Sequence, residues 1–171
     1  MQVCFIGHRE IEKNDTLVAL LEDTIVSLIS NGATTFLFGS MSAFDDLAWE
    51  IVTKLKKEYI FIKRVYVRAS SPYISKEYEN FLLNSFEETY FPEKIINAGK
   101  LSYVERNFSM IDNSTFCIFY YNESYTPKPR RITKVSAYLP TKNKSGTKIA
   151  YLYAQKKNKH IINLYTLLSK N

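Results

Sequence analysis

Residues 34–55 read TTFLFGSMSAFDDLAWEIVTKL, and their interpretation decides the fold. Thr35 to Phe38 is a short apolar run without polar alternation, the pattern of a strand covered on both faces. It stops at Gly39 and crosses a loop of small residues. Phe44, Leu47, Ala48, Ile51, Val52 and Leu55 then recur at helical spacing, which predicts an amphipathic helix. A buried strand, a glycine, a tight loop and a helix are the opening half of a βαβ unit.

The same order repeats on both sides. Val3 to Ile6 reads as a strand that ends at Gly7. Asp15 is the expected N-cap of a helix carrying Leu17, Leu20, Leu21, Ile25, Leu28 and Ile29, and Asn31-Gly32 is its stop signal. Tyr59 to Val67 is a third strand, followed by a helix over Ser75 to Phe86 capped by Ser75, with Phe81, Leu82 and Phe86 as its apolar face. Thr89 to Phe91 is a short strand that Pro92 assigns to a sheet edge. A helix over Tyr103 to Ile111, a strand over Thr115 to Tyr121, a helix over Thr147 to Lys157 and a strand over His160 to Leu164 complete the pattern, with a last helical turn at Thr166 to Ser169. Residues 122–145 hold three of the five prolines and many basic residues; they read as an insertion loop with an extended piece around Ile132 to Tyr138. The whole predicts a Rossmann-like three-layer α/β sandwich with a mainly parallel sheet, one domain over residues 1–171.

Composition narrows the function classes. The chain is 46% hydrophobic and 23% charged, as in ordinary globular domains. No apolar run approaches the ~18 residues of a membrane span, and Met1 to Gly7 lacks the features of a secretory leader. The only cysteines, Cys4 and Cys117, lie inside strand-like runs and are expected as buried thiols of a cytoplasmic protein. With two histidines far from them in sequence, no metal site is expected, and no cofactor is indicated. A net charge of +6 favours a polyanionic partner, nucleotide or nucleic acid.

Of the five glycines, Gly7 and Gly39 end the first two strands and Gly146 precedes a helix after the loop leaving the 115–121 strand. All three fall at the carboxyl edge of a parallel sheet, where such folds bind ligands. There Gly39, Ser40 and Ser42, and again Ser145, Gly146 and Thr147, offer backbone N–H groups and hydroxyls at helix starts, while His8 and Arg9 follow Gly7 directly. This predicts an anion site, since each helix terminus contributes only ~0.3–1 kcal/mol and several groups must converge.

Four segments resemble the YpsA-like branch of the SLOG superfamily, a Rossmann-like group that also holds the lonely-guy phosphoribohydrolases and the DNA-uptake protein DprA. FIGHRE resembles the Thr-Gly-His-Arg strand end of that branch, with Ile6 in place of threonine. GSMSAFDDLAWEIVTKLK is similar to its Gly-Gly-Ala-x-Gly-x-Asp segment, YVERNFSMIDNSTFCIFYYN to its Arg-Asn…Asp segment, and SGTKIAYLYAQKKNKHIINL to its Gly-Gly-Thr closing unit. The resemblance implies a nucleotide or nucleotide-derived ligand, of NAD or ADP-ribose type, bound for sensing or sequestration and often in bacteria–phage conflict. Position by position it implies Gly7, His8, Arg9, Gly39, Ser40, Asp45, Arg106, Asn107, Gly146 and Thr147 as binding residues, and it implies a homo-oligomer. The double glycines appear here as Gly39-Ser40 and Ser145-Gly146. The glutamate that lonely-guy enzymes carry three residues after the threonine is replaced by Ala150, which can neither stabilise a ribosyl cation nor activate water.

Several residues keep two readings. Asp45 is either a ribose acceptor or a helix cap. Asp45, Asp46 and Glu50 are the candidates for catalysis in an N-glycosidase, the alternative function, and Asp46 with Glu50 is otherwise a solvated helix face. Tyr73 and Tyr103 are base-stacking or packing residues. The basic insertion, with Lys128, Arg130, Arg131, Lys134, Lys142 and Lys144, is a lid over an anion, a nucleic-acid contact of DprA type, or a solvated loop, with the lid ranked above the nucleic-acid contact.

Overall fold

A computed structural model of the chain describes residues 1–39, 42–126 and 145–169. Six strands and six helices alternate: β1 (Gln2–Gly7), α1 (Asp15–Ser30), β2 (Thr35–Phe38), α2 (Ala43–Leu55), β3 (Lys63–Val67), α3 (Lys76–Leu83), β4 (Glu88–Tyr90), α4 (Lys100–Asn113), β5 (Phe116–Tyr120), α5 (Gly146–Lys156), β6 (His160–Asn163) and α6 (Leu164–Leu168). The strands form one sheet in the order β4-β3-β2-β1-β5-β6, with every pairing parallel. The expected Rossmann-like architecture is therefore the one observed.

Alternate residues of each strand supply two cores. Val3 and Phe5 of β1 join Phe36 and Phe38 of β2 beneath α1 and α2, where Leu17, Leu21, Ile25, Phe44 and Leu47 are buried. Cys4 and Ile6 face the other way with Leu37, Val65, Val67, Cys117 and Phe119, against Met110 and Ile111 of α4 and Ala150 and Ala154 of α5. Two-sided burial removes the polar alternation from the strand sequences, which is why they read as continuous apolar runs.

The helix boundaries follow local chemistry. Asn14, rather than Asp15, caps α1: its side chain accepts from the Leu17 N–H. Ser42 caps α2 and Ser145 caps α5 in the same manner. β3 begins at Lys63, later than the expected Tyr59, because the Tyr59 amide still bonds to Leu55 and the Ile62 amide to Tyr59, prolonging the turn after α2. Of the expected apolar face of α3 only Leu82 is buried within the helix; Phe81 is exposed. The expected extended piece at 132–138 lies outside the described residues.

The chain runs outward from β1 through β2 to β3 and β4, then returns across to β5 and β6. The direction reverses between β1 and β5, whose carboxyl ends therefore form the topological switch point.

Candidate functional site at the carboxyl edge

Residues after β1 organise the switch point. Gly7 lies under α2, and a Cβ there would overlap Cβ and the ring of Phe44. Its carbonyl accepts the Thr147 hydroxyl at 2.9 Å, tying the first turn of α5 to β1. His8 is buried. Its Nε2 lies 2.9 Å from the Asn122 nitrogen, whose N–H it can accept, and 3.2 Å from the Asn122 carbonyl, to which it can donate; the two contacts suit opposite tautomers of the ring. Nδ1 is buried without a hydrogen-bond partner among the described residues. The ring stacks on Tyr125 at 3.9 Å. Burial lowers the His8 pKa to about 4, the Asn122 backbone opposing this only in part. His8 is therefore neutral at physiological pH. Arg9 is exposed, and its carbonyl accepts the Ala43 N–H at the start of α2.

The second arm of the site is built differently from the sequence expectation. A Cβ at Gly39 would overlap the Arg106 guanidinium. The absent side chain thus accommodates an arginine of this same chain. Arg106 is only 4% exposed. It donates through Nη1 to the carbonyls of Gly39 and Val67 and through Nε to Asn107 Oδ1 at 2.9 Å. Its guanidinium also lies 5.7 Å from the Tyr103 ring centre. One side chain from α4 thereby spans the ends of β2 and β3.

Asp45 lies within the field of Arg106 and shares a reciprocal pair of contacts with Ser42. The Asp45 N–H donates to Ser42 Oγ, and Ser42 Oγ donates to Asp45 Oδ2, both at 3.0 Å. Its Oδ1 is buried without a hydrogen-bond partner among the described residues. Burial raises the Asp45 pKa to about 6, while Arg106, Ser42 and the Gly39 backbone pull it down. Asp45 is thus both part of a helix cap and a buried carboxyl with one oxygen unused. Asp46 and Glu50 point to solvent, and Glu50 pairs with Lys13 at 2.8 Å.

The N–H groups at the two helix starts have different fates. At α2, Ala43 and Asp45 already donate to Arg9 and Ser42, and two carboxylates stand in the first turn. At α5 the Lys148 N–H is likewise taken by Ser145, but the first turn carries no acidic residue and lies beside Gly7 through Thr147. Gly146 has open space where a side chain would be. Anion capacity is therefore concentrated at α5, next to Gly7 and His8.

Ala150 is buried in the core against the sheet. Tyr73 is 89% exposed and Tyr103 half-buried. Ser40 and the basic residues Lys128, Arg130, Arg131, Lys134, Lys142 and Lys144 lie outside the described residues. Among the described residues, no group of three or more His, Cys, Asp or Glu side chains could hold a metal ion, and no helix is long and apolar enough to cross a membrane.

Neither a protein-family model nor a curated protein matches the chain. A solved structure does: DNA processing protein A from Helicobacter pylori, described for its single-stranded DNA binding mode, superimposes with a TM-score of 0.57 at 19% identity. The match covers 94% of this chain and 63% of that one. It is a likeness of fold.

Sequence reasoning missed the role of Arg106 as the group that fills the space at Gly39. The two positions are far apart in the chain, and no local pattern links a glycine to the side chain that crosses it.

Proposed function

We propose that the chain binds a nucleotide or nucleotide-derived ligand, of ADP-ribose or NAD type, at the carboxyl edge of its sheet, for sensing or sequestration and without turning it over, as a YpsA-like member of the SLOG group. The observation that carries the reading is the unpartnered, buried Nδ1 of His8 at the switch point between β1 and β5. Buried polar atoms in folded proteins are nearly always paired, and a polar group of a ligand at this edge would supply the missing partner. The α5 terminus adds favourable N–H groups, and the exposed Arg9 adds charge.

The placement of the carboxylates supports binding without turnover. Asp45 is held by Ser42 and opposed by Arg106, Asp46 and Glu50 face solvent, and Ala150 stands in the core where a glycosidase needs its glutamate.

A second reading, single-stranded DNA binding, is favoured by the net charge of +6 and by the fold likeness to a protein whose single-stranded DNA binding has been described. The two separate in one experiment. Native mass spectrometry and thermal-shift titration with ADP-ribose test the first, and fluorescence anisotropy of a labelled oligothymidylate tests the second. A stabilised melt with ADP-ribose that Arg9→Ala removes supports the ligand reading. Oligonucleotide affinity that collapses between about 50 and 200 mM salt supports the DNA reading. Binding of neither refutes both.

A further inference from the structure

A cleft of about 460 Å³ opens at the carboxyl ends of β5 and β6. It is separate from the Gly39–Arg106 arm and adjoins the His8–Asn122 contact through its Asn122 wall. Tyr121 and Tyr151 stack at 4.5 Å with 29° between their planes, giving an aromatic wall. Tyr165 forms another wall, fixed edge-on by Tyr120 at 5.6 Å and 84°. The backbone edge is closed by Asn163, whose Oδ1 accepts from the Tyr121 N–H at 3.0 Å and whose Nδ2 donates to the Tyr121 carbonyl at 2.9 Å.

The lining leaves recognition groups unused. Among the described residues, the hydroxyls of Tyr151 and Tyr165 and the side-chain amide of Gln155 make no hydrogen bond. Among the described residues Lys148 reaches only Glu123, at 3.4 Å, and the Glu123 side chain is 81% exposed. A solvated pair of this kind is weak, so the ammonium is available to a competing anion. Flat aromatic walls, amide and phenol groups at the rim and one cation together match a nucleobase with an attached phosphate. The volume lies within the ~300–1,000 Å³ typical of small-molecule sites.

We propose that this cleft is a subsite for a nucleoside monophosphate unit, the base lying against Tyr151 and Tyr165 and the phosphate on Lys148. The inference rests on the nucleotide-binding reading above and extends it to the β5–β6 side of α5. The unit comes either from a free nucleotide or from one residue of a DNA strand.

The test uses the full chain, AMP by calorimetry and a labelled oligothymidylate by anisotropy. Tyr151→Ala removes an aromatic wall but also its packing on Tyr121, so it is paired with two variants at less buried positions: Gln155→Trp, which fills the mouth, and Lys148→Glu, which reverses the charge. A fall of about tenfold or more in AMP affinity for both of these variants supports the subsite with a free nucleotide as source. The same fall for the oligonucleotide alone supports it with a strand as source. Unchanged affinity of both probes for Gln155→Trp and Lys148→Glu, with Arg9→Ala still weakening them, overturns the subsite and leaves the carboxyl-edge reading intact. Failure of both probes to bind the unaltered chain overturns both.

Discussion

The hydroxyl of Thr147, in the first turn of α5, donates to the carbonyl of Gly7 at the tip of β1 across 2.9 Å. One residue beyond β1, His8 holds the Asn122 backbone at the other end of the segment that leads from β5 to α5. The consecutive residues Gly7 and His8 thus clasp both ends of the longest connection between elements. In this arrangement the Gly-His stretch is first an anchor, and the ligand role proposed for it would be exercised from a position that the anchor holds.

Thr147→Val keeps the shape of the side chain and removes the donor. The Gly7 carbonyl is then left in a half-buried setting without its partner, at a cost of about 1–2 kcal/mol. Thr147→Ser retains the hydroxyl and is expected to lose less. Urea unfolding of the two variants checks this; a larger loss for Thr147→Ser than for Thr147→Val would show that the methyl group, not the hydrogen bond, holds the helix start.

Gly39 and Arg106 are expected to be energetically coupled. Gly39→Ala forces a methyl group into the guanidinium and destabilises by about 1–3 kcal/mol. In an Arg106→Ala background the same substitution meets space, so its cost falls and a double-mutant cycle gives a coupling of about 1 kcal/mol or more. Gly7→Ala provides the contrast. Its overlap includes Cβ of Phe44, which Phe44→Ala retains, so no comparable rescue is expected there.

Two buried groups tilt the acid response in opposite directions. His8 has its pKa lowered from 6.5 to about 4, so the unfolded chain binds more protons between those values, and stability is lost as pH falls through that window. The full penalty approaches about 3 kcal/mol. Asp45 has its pKa raised from 3.8 to about 6; here the folded chain binds more protons, and acidification through its window adds stability. The two partly cancel between pH 4 and 6. Asp45→Asn is expected to steepen the acid loss and His8→Gln to flatten it, measured as unfolding free energy from pH 4.5 to 7. Parallel pH profiles for all three proteins would contradict both assignments.

Fold and site differ in how far the sequence reveals them. Strand positions were legible because burial on both faces leaves unbroken apolar runs such as Phe36 to Phe38, and the start of α3 because Ser75 caps it through its own side chain. The convergence of Gly7, Gly39 and Gly146 on one edge follows from parallel topology alone. What occupies the space beside each glycine does not. Phe44 against Gly7 and Arg106 against Gly39 are long-range packing events with no local trace, and a glycine that admits a side chain looks the same in sequence as one that admits a phosphate. The tyrosine cleft was hidden for a related reason. Tyr121 and Tyr151 each read as an ordinary member of a strand or helix, and only the sheet order makes them neighbours.

The residue at position 150 decides whether a glycosidase could be recovered by a single change. In the structure Ala150 packs with Cys4, Ile6, Met110 and Cys117 in the core beneath the sheet, so its Cβ leads into apolar surroundings. Ala150→Glu would therefore bury a carboxylate with no cation described beside it, and both overpacking and desolvation oppose folding. The expected outcome is a loss of about 3 kcal/mol or more and no release of adenine from AMP, followed by chromatography at high protein concentration. A stable Ala150→Glu protein that liberates the base would show instead that α5 can turn this position toward the ligand, and would return the chain to the enzymes.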